Sequence, residues 1–165
     1  MNAGAYGGEM KQVVKSISVL YEDGTTEVID AVKYDGQYRT SYIQKSGAIV
    51  LRAEFELAKG DAAAIKEKMD ELKEKRCEKQ PLEYPSAGST FKRPEGYFAG
   101  KLIMDAGLAG YTVGGAQVSE KHCGFVINRG GATAEDICRL MQDVTVKVKE
   151  KFGVELTPEV RLIGF

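Results

Sequence analysis

The chain has 165 residues, 43% of them hydrophobic and 28% charged, with a formal net charge of −1 at pH 7. This composition argues against intrinsic disorder and allows one substantial core or two small ones. Acidic and basic residues are interspersed, which argues against a general nucleic-acid or membrane-surface binder, because such proteins carry a basic stripe. No apolar run approaches the about 20 residues that span a bilayer, and residues 1–8 lack the pattern of a signal peptide.

The few cysteines and the single histidine argue against a metal site. Cys77, Cys123 and Cys138 form no Cys-x-x-Cys pair, and His122 adds no metal-ligand spacing. We therefore expect three free thiols in a reducing cytoplasm, with no zinc or iron–sulfur centre.

The first part of the chain predicts a small, mostly β unit. Residues 1–8 are rich in glycine and alanine, which exposes backbone for contact with a flat or phosphorylated ligand; a floppy terminus is the simpler alternative. Two β-rich runs, 16–21 and 25–29, flank Asp23-Gly24 and predict a hairpin. In residues 49–57 apolar side chains alternate with charged ones, which predicts a half-exposed strand.

An amphipathic helix predicted over residues 61–76 marks the seam between this unit and a second, α/β unit. Asp61 is a candidate N-cap. The predicted apolar face of the helix consists of Ile65, Met69 and Leu72, and the lysine-rich face is expected to be solvated.

Beyond this seam, the pattern predicts a short helix over 97–106, a glycine-broken strand over 110–118 and a buried strand over 124–128. Thr133 and Asp136 have capping-box spacing, so we expect a helix after Thr133. Its predicted buried residues are Ile137, Met141, Val144, Val148 and Phe152, and it ends at Gly153. A β-rich run, interrupted by Pro158, follows over 155–165.

The stretch from Ser86 to Pro94 has the composition of an anion-binding site. Gly88 allows close backbone approach, and the Ser89 hydroxyl, which can donate and accept, lies beside Lys92 and Arg93. Such a loop suits an anionic substrate that receives a proton. On composition alone, a turn with a solvated Lys-Arg pair is the commoner structure.

Seven short motifs occur in order along the chain. They are Asn-Ala-Gly-Ala-Tyr-Gly at 2–7, Tyr-Arg-Thr-Ser at 38–41, Lys-Gln-Pro at 79–81, Ala-Gly-Ser-Thr-Phe-Lys at 87–92, Gly-Lys-Leu-Ile at 100–103, Gly-Gly-Ala-Gln-Val-Ser at 114–119, and Pro-Glu-Val with Ile-Gly within 158–164. Together they resemble the UDP-N-acetylenolpyruvoylglucosamine reductases, flavoenzymes of cell-wall precursor synthesis. The resemblance covers nearly the whole chain.

This resemblance implies an α+β fold of the family's shorter type. Residues 1–60 would be the C-terminal part of the FAD-binding domain, with antiparallel strands, and residues 61–165 the UDP-sugar-binding C-terminal domain. Met1 aligns within the family's flavin-binding segment, so we expect the upstream half of the flavin site to lie outside this sequence.

The resemblance also implies an activity: NADPH reduces bound FAD, and UDP-N-acetylglucosamine enolpyruvate is then reduced to UDP-N-acetylmuramate for peptidoglycan synthesis in the cytoplasm. Two alternatives stay open. The chain alone could be a UDP-sugar-binding module without catalysis, or a small α/β protein without a ligand. Strand edges left exposed could pair between molecules.

Three residues occupy the family's catalytic positions. Ser89 matches the proton donor, while Arg39 and Glu159 match the residues that bracket the substrate carboxylate. Positions that match the flavin-binding segment are Asn2, Ala3, Gly4, Ala5, Tyr6 and Gly7, together with Arg39. Positions that match substrate contacts are Tyr6, Tyr38, Lys79, Gly88, Ser89, Arg93 and His122.

Two of these substrate contacts have an alternative interpretation. A lone histidine such as His122 is often structural, and the two interpretations are evenly balanced. Arg93 stands where the family commonly has asparagine, so its contact need not be the family's.

Overall fold

A computed structural model describes residues 1–164 and shows an α+β fold with three antiparallel sheets. The chain divides into two compact units, Met1–Ala62 and Ala63–Phe165. Within the described residues, no helix is both long and apolar enough to cross a membrane. Cys77 is exposed, Cys138 half-buried and Cys123 buried, and all three are free thiols.

The first unit contains a two-stranded hairpin and a three-stranded sheet. In chain order its elements are β1 (Gly4–Ala5), β2 (Gly8–Glu9), a 3-10 turn (Met10–Gln12), β3 (Val14–Leu20), β4 (Thr26–Asp30), α1 (Ala31–Tyr34), α2 (Tyr42–Ser46) and β5 (Ile49–Phe55). The larger sheet has the order β4-β3-β5.

The predicted β3–β4 hairpin is confirmed. Asp23 closes the turn, because its Oδ1 accepts from the Thr25 backbone N–H at 2.9 Å, and Gly24 takes the left-handed conformation with φ 83°. Alternation along β3 buries Ile17 and Val19. The core of this unit consists of Val14, Ile17, Val19, Ile29 and Tyr34.

The expectation that one face of the 49–57 strand is buried is wrong. β5 forms, but all seven of its residues are exposed. Alternation in a sequence indicates which side of a strand could be buried, not whether anything covers that side.

The second unit contains most of helix α3 (Ala62–Lys79), then β6 (Ser86–Ser89), α4 (Ala99–Asp105), β7 (Thr112–Val113), β8 (Ala116–Val118), β9 (Phe125–Asn128) and α5 (Ala134–Phe152). Its sheet is antiparallel with the order β6-β9-β8-β7. The predicted glycine-broken strand is therefore a hairpin, because Gly114 and Gly115 form the turn between β7 and β8.

The predicted apolar face of helix α3 is not buried. Ile65 and Met69 are 50% and 62% exposed, and Leu72 is only half-buried. Ion pairs one helical turn apart stabilise this helix instead: Lys66 pairs with Asp70, and both Lys68 and Lys75 pair with Glu71. The hydrogen bonds from these two lysines lower the Glu71 pKa from 4.5 to about 2.

Helices α4 and α5 share one apolar core with strands β8 and β9. Leu140, Met141, Val144 and Val148 of α5 are buried in it, whereas Ile137 is half-buried and Phe152 is 36% exposed. From α4 and the sheet, the core includes Leu102, Ile103, Ala116, Val118 and Val126. The α5 periodicity thus predicted the buried face except at its ends.

Two expectations for the ends of elements are wrong. Phe98, expected on the apolar face of the 97–106 helix, lies at the N-cap of α4 and is 59% exposed. The 155–165 run forms no strand among its described residues, and its one β contact is an isolated bridge between Phe91 and Pro158. Phe165 lies outside the described residues.

The capping box of α5 gives a stability prediction. Thr133 Oγ1 accepts from the Asp136 N–H at 3.1 Å, and the Asp136 carboxylate accepts from the Thr133 N–H at 2.9 Å. Thr133→Ala should lower the free energy of unfolding by about 1 kcal/mol, since the helix loses its N-cap. Urea denaturation measures this, with the exposed Thr157→Ala as control. Equal stability of the two variants would contradict the capping role.

Candidate functional site

The glycine-rich N-terminal segment is not a disordered terminus but folds into a tight hairpin. Gly4 pairs with Glu9 and Ala5 with Gly8, so Tyr6 and Gly7 form a two-residue turn. Their φ angles, 51° and 84°, are both positive, as a type I′ turn requires. A tyrosine in the left-handed region is uncommon, and its side chain is held at an exposed turn.

Asn2 fixes this hairpin through its side chain. It is 5% exposed; its Nδ2 donates to Glu9 Oε2 at 2.7 Å, and its Oδ1 accepts from the Lys11 N–H at 2.9 Å. The hydrogen bond from Asn2, followed by that from Lys11, lowers the Glu9 pKa below its ordinary value. A Cβ at Gly36 would lie 3.0 Å from Asn2 Cγ, so glycine there is required by close packing. The Asn2 side chain therefore positions the backbone around it.

The hairpin lines a cavity of about 270 Å³ in the first unit. The lining residues are Asn2, Gly4, Ala5, Gly7, Gly8, Glu9, Tyr38 and Arg39. Five of the predicted flavin-binding residues are in this set, whereas Ala3 and Tyr6 are not. Gly8 and Glu9 also line the cavity although no motif indicates them; the positive φ angles of Tyr6 and Gly7 turn the chain back so that these residues lie on the returning strand.

Arg39 is presented by a second tight turn. Gln37 and Thr40 exchange backbone hydrogen bonds of 3.1 and 3.3 Å across Tyr38 and Arg39. Arg39 has φ 57°, and its guanidinium carbon lies 5.6 Å from the centroid of the Tyr38 ring. The turn thus holds an aromatic ring and a cation together at the wall of the cavity.

In the second unit, Ser89 lies at an irregular point of an edge strand. Ser86 pairs with Ile127 and Ser89 with Phe125, and a register shift between them places a bulge at Ala87 and Gly88. Gly88 has φ 83°, and a Cβ there would meet no atom within 4 Å. Bulges redirect side chains, and Ser89 is exposed.

The chain segment that carries Glu159 lies beside this strand. The Glu159 N–H donates to the Thr90 carbonyl at 2.8 Å, and the Lys92 N–H donates to the Thr157 carbonyl at 2.8 Å. Thr90 is itself buried, and its Oγ1 accepts from the Val126 N–H at 3.0 Å. These contacts bring Glu159 next to the residue that follows Ser89.

Of the three predicted catalytic residues, Ser89 and Glu159 lie in the second unit, on backbone segments that are hydrogen-bonded to each other next to Ser89. Arg39 belongs to the first unit, where it lines the cavity with Tyr38.

Arg93 contacts the loop that follows it. Its Nε donates to the Tyr97 carbonyl at 3.2 Å, and its guanidinium carbon lies 4.0 Å from the centroid of the Phe98 ring. This explains how an arginine is accommodated there: its cation lies over an aromatic ring, and its Nε–H has a backbone acceptor. Lys79, the last residue of α3, is exposed.

The His122 ring has structural contacts of its own. Its Nδ1 accepts from the Gly124 N–H at 3.1 Å, and the ring meets Phe125 edge-on with centroids 4.9 Å apart. A Cβ at Gly100 would lie 3.3 Å from His122 Cε1, so this glycine makes room for the ring. Since Nδ1 accepts, the proton of the neutral ring is assigned to Nε2. Among the described residues, no three His, Cys, Asp or Glu side chains are placed to hold a metal ion together.

Comparison with known proteins assigns the family. A family model described as UDP-N-acetylenolpyruvoylglucosamine reductase, C-terminal domain, matches residues 80–163. Relatives named UDP-N-acetylenolpyruvoylglucosamine reductase are 63% identical in Lachnoclostridium phytofermentans and 56% identical in Caldanaerobacter subterraneus, each over 99% of this chain. The crystal structure of UDP-N-acetylenolpyruvylglucosamine reductase from Thermus caldophilus matches 97% of this chain, with a TM-score of 0.82 at 36% identity.

The chain belongs to the UDP-N-acetylenolpyruvoylglucosamine reductase family. It spans 53% and 54% of the length of the two relatives and 57% of the Thermus caldophilus chain.

The Asn2 contacts predict a measurable pKa change. Because Asn2 stabilises the ionised Glu9 carboxylate, Asn2→Ala should raise the Glu9 pKa toward its ordinary value. The lowered pKa stabilises the folded state at pH values above the unfolded-state pKa of Glu, about 4.3. This stabilisation is lost as the pH falls through the folded-state pKa. The free energy of unfolding of the variant should therefore fall less over that pH range. Carbon-13 NMR titration measures the Glu9 pKa, with Asp23, whose pKa is lowered chiefly by Thr25, as internal control, and urea denaturation across the same pH range measures the stability change. An unchanged Glu9 titration would contradict this role.

Proposed function

We propose that this chain takes part in the FAD-dependent, NADPH-driven reduction of UDP-N-acetylglucosamine enolpyruvate to UDP-N-acetylmuramate, in cytoplasmic peptidoglycan synthesis. Family membership supports the reaction class. The single observation that carries the proposal is the backbone pairing of residues 90–92 with residues 157–159, since it brings the backbone segments that carry Ser89 and Glu159 together from distant parts of the sequence.

Ser89 is the proposed proton donor. Addition of a hydride to one alkene carbon leaves negative charge on the neighbouring carbon, which the hydroxyl proton quenches. An alcohol is a weak acid, so the donation requires a strongly basic acceptor held within hydrogen-bond reach. Ser89 is exposed at the bulge, and the open space at Gly88 allows a substrate to come close to the backbone.

Arg39 and Glu159 are the proposed partners of the substrate carboxyl end. A guanidinium binds a carboxylate through two parallel hydrogen bonds and keeps its charge at every physiological pH. Such a fixed charge counts most where negative charge develops during the reaction. Arg39 is held in a two-residue turn, which limits the freedom that binding would otherwise have to remove.

The residues around the first-unit cavity fit part of a flavin nucleotide. Gly4, Gly7 and Gly8 bring backbone to its surface, and Tyr38 with Arg39 adds a ring and a cation. Its volume, about 270 Å³, is below the about 300–1,000 Å³ of sites for drug-sized ligands, so these residues would hold a portion of FAD. Bound FAD would supply hydride-transfer chemistry between NADPH and substrate.

The remaining proposed contacts serve the UDP-sugar. Lys79 and Arg93 are exposed cations suited to a diphosphate. His122 would use Nε2, because Nδ1 already accepts from Gly124. Tyr6, Tyr38 and Gly88 are proposed to contact the sugar and enolpyruvyl portions.

Ser89→Ala tests the proton-donor role by separating the two half-reactions. In the FAD-loaded chain, reduction of the flavin by NADPH should be unchanged, whereas its reoxidation by the enolpyruvyl substrate should slow by about 10²–10⁴-fold. Stopped-flow absorbance follows both steps. Ser86→Ala, the other exposed serine of β6, is the matched control. Equal slowing of both half-reactions would contradict the role, and a wild-type chain that binds the UDP-sugar but no FAD would favour the binding module.

Arg39→Ala tests carboxylate recognition at the level of binding. By calorimetry, the variant should bind UDP-N-acetylglucosamine enolpyruvate about 10–100-fold more weakly, corresponding to the about 1.5–3 kcal/mol of a charged hydrogen bond. UDP-N-acetylglucosamine, which lacks the carboxylate, should bind both proteins equally. Arg39→Lys keeps the charge without the planar fork and should lie between them. The same loss for both ligands would rule out a carboxylate contact.

A further inference from the structure

We propose that Lys121 is a positioning residue for UDP binding, because it fastens the end of α3, which carries Lys79, to the loop that carries His122. The inference rests on the proposed UDP contacts of Lys79 and His122, which lie far apart in the sequence. Lys121 immediately precedes His122, and its Nζ donates to the Cys77 carbonyl at 2.8 Å. Cys77 lies in the last turn of α3, two residues before Lys79.

The Cys77 carbonyl needs an outside donor because of a proline. In an α-helix each carbonyl accepts from the N–H four residues later, and for Cys77 that residue is Pro81, which has no N–H. The preceding carbonyl, of Arg76, accepts from the Gln80 N–H at 2.9 Å. Cys77 is therefore the first residue of α3 whose usual helical donor is missing, and the Lys121 ammonium supplies that hydrogen bond. A cation is favoured there, since the helix dipole places partial negative charge at the C-terminus.

The loop on the other side of this contact is itself closed by hydrogen bonds. Ser119, which is 1% exposed, accepts at Oγ from the His122 N–H at 3.2 Å. The His122 carbonyl accepts from the Phe125 N–H at 3.0 Å. Lys121 therefore extends from a fixed loop, and its contact with Cys77 holds the end of α3 beside that loop.

The carbonyl contact is the more important of the two that Lys121 makes. Its Nζ also pairs with Glu83 at 3.5 Å, but the two side chains are 36% and 52% exposed, and exposed ion pairs contribute little. The hydrogen bond to Cys77 instead holds backbone in place before a ligand arrives. Lys79 then needs less ordering when it binds a diphosphate, which strengthens binding without any contact between Lys121 and the ligand.

Calorimetric binding of UDP to the whole chain tests this role. Lys121→Met keeps the hydrocarbon stem without the donor and should bind UDP about tenfold more weakly. Lys121→Arg, which can still donate to the carbonyl, should bind nearly as the wild type does. Lys151→Met is the matched control, because Lys151 Nζ donates in the same way to the carbonyl of Asp105, the last residue of α4, at 2.8 Å. This control should bind UDP as the wild type does.

A measurement without ligand follows the contact itself. The Gln80 N–H closes the last turn of α3, so its hydrogen exchange, measured by NMR, reports opening of the helix end. Exchange at Gln80 should be faster in Lys121→Met and unchanged in Lys151→Met. Equal exchange in Lys121→Met and the wild type would contradict the claim that this contact holds α3.

A double-mutant cycle with Lys79 separates positioning from direct contact with UDP. If Lys121 acts through Lys79, Lys121→Met should weaken UDP binding by less than about twofold in a Lys79→Ala background. Full additivity of the two losses, or normal binding by Lys121→Met while Lys79→Ala binds weakly, would overturn the inference alone. A wild-type chain that does not bind UDP, or Lys79→Ala that binds it normally, would overturn the proposed UDP contacts and the inference with them.

Discussion

The candidate site of the second unit depends on one short backbone pairing between residues 90–92 and 157–159. Two hydrogen bonds of 2.8 Å, one on each side of the Phe91–Pro158 bridge, tie the segment after α5 to the strand that carries Ser89. Thr90 holds the other side of that strand through its side chain and backbone, which bind Val126 and Gly124. The contact is an isolated bridge and not part of a longer ladder. The result is a single, well-defined point at which Glu159 lies beside the Ser89 strand.

Elements specified by local chemistry could be predicted from the sequence. The Asp23-Gly24 turn and the Thr133–Asp136 capping box need only a few neighbouring residues, and the structure confirms both. Burial could not be predicted in the same way. β5 and α3 form where expected, yet their apolar faces are exposed, because periodicity identifies a face and only tertiary structure supplies what covers it. The β-rich run from residue 155 to residue 164 forms only the isolated Phe91–Pro158 bridge, since a strand also requires a partner strand of matching length.

The candidate site followed chiefly from the order of motifs, and its geometry added detail that no motif carries. The motif at 2–7 indicated residues near a ligand, whereas the structure divides them into cavity-lining glycines and a buried Asn2 that holds the hairpin. Arg93 packs on Phe98, and His122 accepts from Gly124. These contacts depend on loop conformations, and composition gives no signal for them. The proposed catalytic roles remain predictions for the half-reaction and binding experiments.

The left-handed backbone at Tyr6 and Arg39 has a consequence for engineering. Each residue carries a large side chain at a φ angle that glycine adopts without strain, at a conformational cost on the order of 1 kcal/mol. Thermal stability alone would favour glycine at both turns, whereas a ligand contact would require the ring and the guanidinium. Selecting a library for heat resistance and selecting it for affinity would therefore drive these two positions in opposite directions.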